Sequence, residues 1–492
     1  MSTTAASTRT FADIPANRDR LFLASCFALI VTSMTFAIRA GILNNLASDF
    51  NLTDEQLGWV NSMAFYGFPV AMLVGGAIYN SVGPKVLLWL AFISHVLGLV
   101  LTMTAGGYWG LMISTFLIGF ANGSVEAACN PLIADMYPDK QTEMLNKFHV
   151  WFPGGIVIGS LITFALGDSV SWQVLIGTMF IPTAIYGLLM LGQAFPKGAN
   201  IESDTGKNMK GILTPLFIIM ALIMSMTATT EFGSTQWVER IMGNAGANAM
   251  ILLALTAGIM ATGRFFAGPL IHRFNPVGVL IGSAIFSAIG LYLLSTSTGP
   301  MVYVAAAIFA LGLCYFWPTM IGFTAEYIPS SGALGLSLIG GAGMLGAGIW
   351  NPIIGGWIDS NREVAVKERP ALVQNVNDYL LANPSALKDV ERADELPVRY
   401  AIYKDVQETE VAALKKEKAS EEKIKNEEMD LVPINAVELE AGQGTLARLM
   451  YFPSILIGIF IALYFFMRGR KKIPADEAVL NPDAMSTPGS AM

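Results

Sequence analysis

Twelve apolar runs, each near the roughly 20 residues a helix needs to cross about 30 Å of hydrocarbon, account for most of this 492-residue chain. They fall at about 21–46, 57–80, 85–105, 108–135, 146–167 and 172–194, then at about 212–237, 246–270, 277–297, 301–327, 333–357 and 447–467. Composition agrees, with 53% of residues hydrophobic and 14% charged, where a soluble chain carries about 25% charged. The fold class predicted is all-α integral membrane, with twelve transmembrane helices in two six-helix halves.

The net charge of −7 belongs to one place. Residues 358–446 carry 12 Lys or Arg and 19 Asp or Glu, whereas the rest carries 18 of each. The acidity therefore marks a polar insertion and gives no reason to expect a nucleic-acid partner. Its composition, with the Lys- and Glu-rich run Glu408–Asp430, predicts a solvated segment without an apolar face, peripheral to transport. The domain reading is a tail at 1–20, a first bundle at 21–194, a linker at 195–211, a second bundle at 212–467 interrupted by the insertion, and a tail at 468–492. An even span count puts both termini on one side. That side also collects Arg18, Arg20, Lys85, Lys140, Lys197, Arg273 and Lys471, which predicts a cell-membrane protein with cytoplasmic termini.

Cys26, Cys129 and Cys314 lie scattered inside apolar runs and read as buried thiols, not as a disulfide framework or zinc site. With no His/Cys metal spacing, nucleophile elbow or phosphate-binding loop, neither catalytic nor metal residues are assigned. No cofactor is expected, and the chain does not read as an enzyme.

The two halves share a pattern. Gly76-Ala-Ile-Tyr-Asn80-Ser-Val-Gly83-Pro-Lys85 joins spans two and three, and Gly268-Pro-Leu-Ile-His272-Arg273 joins spans eight and nine, offset by 192. Ala134-Asp135-Met-Tyr-Pro138 and Ala325-Glu326-Tyr-Ile-Pro329 close spans four and ten, offset by 191. Two matches at nearly one offset indicate a parallel repeat.

These loops, together with Arg264 ahead of Gly268, resemble the G-x-x-x-D-R-x-G-R signature of the major facilitator superfamily, with Asn80, Ser81 and His272 as departures. The resemblance implies two bundles around a central cavity that is opened to alternate sides by rocking. A narrower likeness is to the fucose:proton symporter family. It rests on Asn122-Gly-Ser-Val-Glu126-Ala-Ala-Cys-Asn130-Pro131, on Leu145-Asn146-Lys-Phe-His149-Val-Trp-Phe-Pro-Gly-Gly155, and on Glu231 followed by Trp237. In that family the first helix carries a proton-coupling carboxylate; the matching position here is Ala40, beside Arg39.

An ionisable group near mid-bilayer costs about 3 kcal/mol on insertion scales and normally faces protein or water. Asn122, Glu126 and Asn130, spaced by four, form one polar stripe. It reads either as an interhelical hydrogen-bond clamp or as a cavity wall with a protonatable group. Arg39 and Glu231 occupy equivalent repeat positions, which predicts an ion pair across the cavity that either holds the bundles together or is broken as a gate. Trp317, at the repeat position of Glu126, is a stacking surface for a sugar ring or a packed core residue. Gln236 and Asn351 add uncharged donors. His149 is a proton relay or a satisfied structural histidine.

The reading that follows is a secondary active transporter of a small polar solute, a sugar or polyol, by alternating access with proton symport through Glu126, Glu231 and His149. Small organic anions, with Arg39 as counter-ion, are the alternative substrate class, and a non-transporting sensor is a third. The partners expected are the solute, the proton and the bilayer, with a monomeric chain.

Overall fold

The computed structural model describes residues 17–137, 144, 147–167, 169–196, 210–387, 390, 394–417 and 420–468. Most of the terminal tails and of the 195–211 linker lies outside these residues, as do Lys140, Leu145 and Asn146. Among the described residues, eleven helices are long and apolar enough to cross a membrane, and a twelfth apolar helix, Ala249–Arg264, is shorter. Twelve spans return the chain to its starting side, called here the terminal face; the other is the insertion face.

Spans two and three form one helical run, Asp54–Met103, broken at Gly83 (φ 77°, ψ 165°) before Pro84. In the second half the run Ala267–Thr296 breaks at Asn275 (φ 56°, ψ 164°) before Pro276, 192 residues later. Gly enters positive φ freely, Asn tolerates it, and the following Pro starts the next helix with φ already set. The repeat is thus written in the backbone as well as in the loop residues.

Local signals start the helices where expected. Thr53 and Gln56 form a reciprocal capping box on the second span, Thr214 caps the seventh with Pro215 in its first turn, and Asn248 caps the eighth. Spans two and four pack backbone to backbone because Gly119 and Gly123 lie against Ala64 and Phe68, where any Cβ would collide with their carbonyl oxygens. Trp109, Ile113, Ile181, Leu188 and Leu222 are strongly exposed. On helices of this length such residues face lipid, whose tails replace the protein contacts a soluble core would need.

The insertion differs from the expectation. The eleventh span continues unbroken as Gly332–Lys367, and the helix Glu421–Leu449 leads straight into the twelfth span, Tyr451–Met467, so neither boundary at 358 or 446 is a break. Between them stand helices Pro370–Ala382 and Leu396–Lys416. They are not free of an apolar face: Val366, Leu372, Val376, Leu380, Tyr400, Ile434 and Val437 form a separate buried cluster. Charged residues dominate the composition, yet apolar ones recur often enough along each helix to build a small core.

Candidate substrate site

Three phenylalanines meet where the halves join. Phe36 of the first span, Phe65 of the second and Phe232 of the seventh are all buried, with ring centroids 5.4 Å (Phe36–Phe65), 5.7 Å (Phe36–Phe232) and 5.3 Å (Phe65–Phe232) apart. Phe152 and half-buried Trp317 pack around this cluster.

Each of the three helices carries a polar residue one turn beyond the rings, toward the insertion face: Arg39 after Phe36, Gln236 after Phe232 and, on the returning second span, Asn61 before Phe65. Arg39 Nη2 donates to Gln236 Oε1 at 2.8 Å, and its guanidinium carbon lies 5.2 Å from the Phe36 ring and 5.9 Å from the Phe65 ring. These are cation–π distances. Arg39 is 6% exposed, its Nε has no hydrogen-bond partner, and no protein carboxylate pairs with it among the described residues. Asn61 is fully buried, and neither its amide nitrogen nor its oxygen has a partner. A cavity of about 20 Å³ adjoins Arg39, lined also by Thr35, Thr102 and Thr115. That is room for one water.

On the terminal-face side of the rings lies a second cluster. Asn130 Nδ2 donates to Glu126 Oε2 at 2.7 Å, and His149 Nε2 lies 3.1 Å from Asn130 Oδ1 and 4.0 Å from Glu126 Oε2. With Oδ1 as acceptor, His149 carries its proton on Nε2. The His149 side chain is 41% exposed and that of Glu126 10%, so the cluster reaches solvent through histidine.

Other sequence-singled residues stand elsewhere. The expected Arg39–Glu231 pair is not formed: Gln236 takes Arg39, and Glu231 Oε1 lies 4.0 Å from Arg264 Nη2 inside the second half. Five residues separate Glu231 from Gln236, so they point about 140° apart around the helix. Of these two, Gln236 is the one bonded to the first half, through Arg39 and the Phe36 carbonyl. Arg264 also donates from Nε to the Cys314 carbonyl. Asn122 does not line the cavity either. Its oxygen lies 2.9 Å from His95 Nε2, its nitrogen donates to Thr35 Oγ1 at 2.9 Å, and His95 Nδ1 lies 2.9 Å from the Tyr186 hydroxyl, all buried. Asn351 accepts from Trp237 Nε1 at 3.1 Å and donates to the Ala347 carbonyl at 2.8 Å. Both amides are satisfied within the packing. Of the loop signature, Gly83 makes the turn, Gly76 packs toward Ser337, and Lys85 and Arg273 are exposed. The side chain of Asn80 and the surroundings of Gly268 lie outside what is described.

Polar bonds between the halves gather at the insertion face. Asp54, at the start of the second span, lies 2.6 Å from Arg240 Nε and 2.7 Å from Arg362 Nη1. Arg362 also grips Glu438 at 2.9 and 3.0 Å, and Asp359 accepts from the Glu55 amide at 3.0 Å. Ser48 donates to Asp405 of the insertion at 2.6 Å. Burial works against the Arg240 charge, but the Asp54 carboxylate beside it outweighs that and raises its proton affinity above the ordinary range. A cavity of about 140 Å³ lies alongside, between this network and the insertion. The network and Asn61 escape sequence reading. The one available signal is Arg240, the lone basic residue among the short insertion-face loops.

Two six-span halves, closed by ion pairs at one face and holding ionisable groups at their junction, are the architecture of a membrane solute carrier. The chain belongs to the Major Facilitator Superfamily, whose family model matches residues 22–351. It is 26% identical to a gentisate transporter of Corynebacterium glutamicum over 69% of this chain and 81% of the relative. It is 25% identical to a cis,cis-muconate transport protein of Acinetobacter baylyi over 68% and 86%, and 21% to a putative niacin/nicotinamide transporter of Bacillus subtilis over 70% and 89%. Among solved structures, a bacterial homolog of the human lysosomal transporter Spinster, inward-facing and unoccupied, superposes with a TM-score of 0.69 at 15% identity, covering 93% of this chain and 99% of that one. The outward conformation of FucP gives 0.51 at 20% identity, covering 70% and 92%. These likenesses carry the fold.

Proposed function

We propose that this protein moves a small organic carboxylate across the cell membrane, with the terminal face cytoplasmic and Arg39 as the counter-ion. The observation that carries the reading is Arg39 itself. A buried cation without a carboxylate partner costs several kcal/mol, and an anionic substrate at the junction of the halves removes that cost. Gentisate and cis,cis-muconate, named in two relatives, are carboxylates, which supports the same class, while the niacin/nicotinamide relative is named for one carboxylate and one amide.

Coupling to protons is part of the proposal. Glu126, with Asn130 and His149, is the titratable cluster open toward the cytoplasm, while the insertion-face network keeps the other side shut. A proton taken up or released there would accompany each reorientation of the bundles.

A sugar or polyol is the second reading. It is supported by the half-buried indole of Trp317 beside the phenylalanine cluster and by a 25% identity to a galactose-proton symporter of Escherichia coli over 35% of this chain. Counterflow into proteoliposomes separates the two. Benzoate, nicotinate and muconate should exchange at fixed pH while glucose, fucose and mannitol do not; exchange of the sugars alone would reverse the assignment.

A further inference from the structure

We propose that Asn61 is a second arm of the carboxylate site and that Phe36, Phe65 and Phe232 form its aromatic floor, so the preferred substrate is a planar, unsaturated or aromatic carboxylate. This rests on the counter-ion reading of Arg39 and goes beyond it in naming a partner residue and a shape.

Register places Asn61 there. On the same helix, Gly58 packs against the backbone of Asn351 and Pro352, and Ser62 donates to the Gly348 carbonyl at 2.6 Å, so the second span is clamped to the eleventh. Phe65, one turn on, meets both Phe36 and Phe232. The Asn61 amide therefore stands one turn beyond the rings, in the layer of Arg39 and Gln236. In this layer every polar atom of Gln236 is used, since Oε1 accepts from Arg39 and Nε2 donates to the Phe36 carbonyl at 3.4 Å. The atoms left over are Arg39 Nε and both amide atoms of Asn61.

Buried polar groups are nearly always satisfied, and two orphaned residues at one level call for an explanation. Their chemistry is complementary to a carboxylate: a guanidinium N–H and an amide N–H both donate, while Asn61 Oδ1 accepts from a hydroxyl on the substrate. The rings beneath suit a flat apolar body. They are edge-on or tilted to one another and already lie under a cation, so an aromatic ring inserted there adds ring–ring contacts. In this state they also separate the Arg39 layer from the cytoplasmic cluster, so the rings must part for entry.

The test uses the full-length protein in detergent with benzoate as probe, read by calorimetry, alongside cyclohexanecarboxylate and acetate. Asn61→Leu removes an unsatisfied amide and keeps the branched outline, with somewhat greater bulk. It is expected to melt no lower than the parent while binding benzoate about tenfold more weakly, the loss of one hydrogen bond to a charged group. The parent is expected to prefer benzoate over cyclohexanecarboxylate. Parent-like benzoate affinity in Asn61→Leu, with Arg39→Gln still defective, would overturn this inference and leave the counter-ion reading standing. Equal affinity for the two ring acids would overturn the aromatic floor. Benzoate binding that ignores Arg39, or is absent in the parent, would overturn both readings. Asn61→Ala guards against a misfit of leucine: if both variants melt early, the amide belongs to the packing and the proposal fails.

Discussion

Arg362 and Asp54 lie 2.7 Å apart across the boundary between the two halves, and the same guanidinium holds Glu438 on the helix that leads into the last span. One arginine thus ties the first half, the eleventh span and the insertion together. Asp54 answers two arginines at once, Arg362 and Arg240. For the cavity to open toward the insertion face, Asp54 must leave both.

Asp54→Asn should therefore shift the protein toward the state open at the insertion face. It leaves two buried guanidinium groups short of a partner, and breaking a buried pair from one side costs about 3–5 kcal/mol. Spin labels or fluorophores on exposed Trp59 and Leu381 should report a wider separation than in the parent, with a lower melting temperature. An unchanged distance distribution would show that the network does not hold this face shut.

Excising the insertion should have an effect that depends on where the cut falls. A linker replacing residues 363–440 deletes Glu438 and leaves Arg362 Nε and Nη2 without their acceptors, with Asp54 and Asp359 still on Nη1, so uptake and stability should both drop. A linker replacing 370–430 keeps Glu438 and should retain most uptake in correctly inserted protein. Equal behaviour of the two deletions would remove Glu438 from any role in the closed state.

Asn122 should act on stability and not on substrate choice. Asn122→Ala leaves His95 Nε2 and Thr35 without their buried partner, at a cost of about 1–3 kcal/mol. The melting temperature should fall while substrate affinity stays within about twofold of the parent. A large affinity change with unaltered melting would return Asn122 to the substrate site.

Glu126→Gln should separate exchange from accumulation. The glutamine keeps a hydrogen-bond partner for Asn130 but carries no titrating proton, so counterflow should persist while uptake driven by a pH gradient is lost. A variant that still concentrates substrate against its gradient would take Glu126 out of coupling.

Much of the architecture is legible from the chain because lipid enforces it: each span needs about 20 apolar residues, and the repeat leaves matching loops. The Glu126–Asn130 contact follows from four-residue spacing on one helix, and His149 joins it from the next span. Where reading fails, the deciding fact is a rotation or a level between helices. Repeat symmetry sets Arg39 opposite Glu231, yet the seventh span presents Gln236 at that level. Asn122 shares a face with Glu126 by spacing, but the third span supplies His95 and draws its amide into the bundle. Residues such as Arg362 and Glu438, lying in a stretch read as solvated, are buried because they pair with each other and, through Arg362, with Asp54 where the insertion meets the first half.

The central claim is that Arg39 is the counter-ion of an organic anion, and the most direct measurement is counterflow of labelled benzoate in proteoliposomes bearing the parent, Arg39→Lys and Arg39→Gln. Truncating one side of a buried charge pair costs about 2–5 kcal/mol, so Arg39→Gln should lower apparent affinity by on the order of a hundredfold, with Arg39→Lys in between. Because the unliganded protein leaves this charge unpaired, Arg39→Gln should also melt no lower than the parent. Parent-like benzoate exchange by Arg39→Gln would contradict the account.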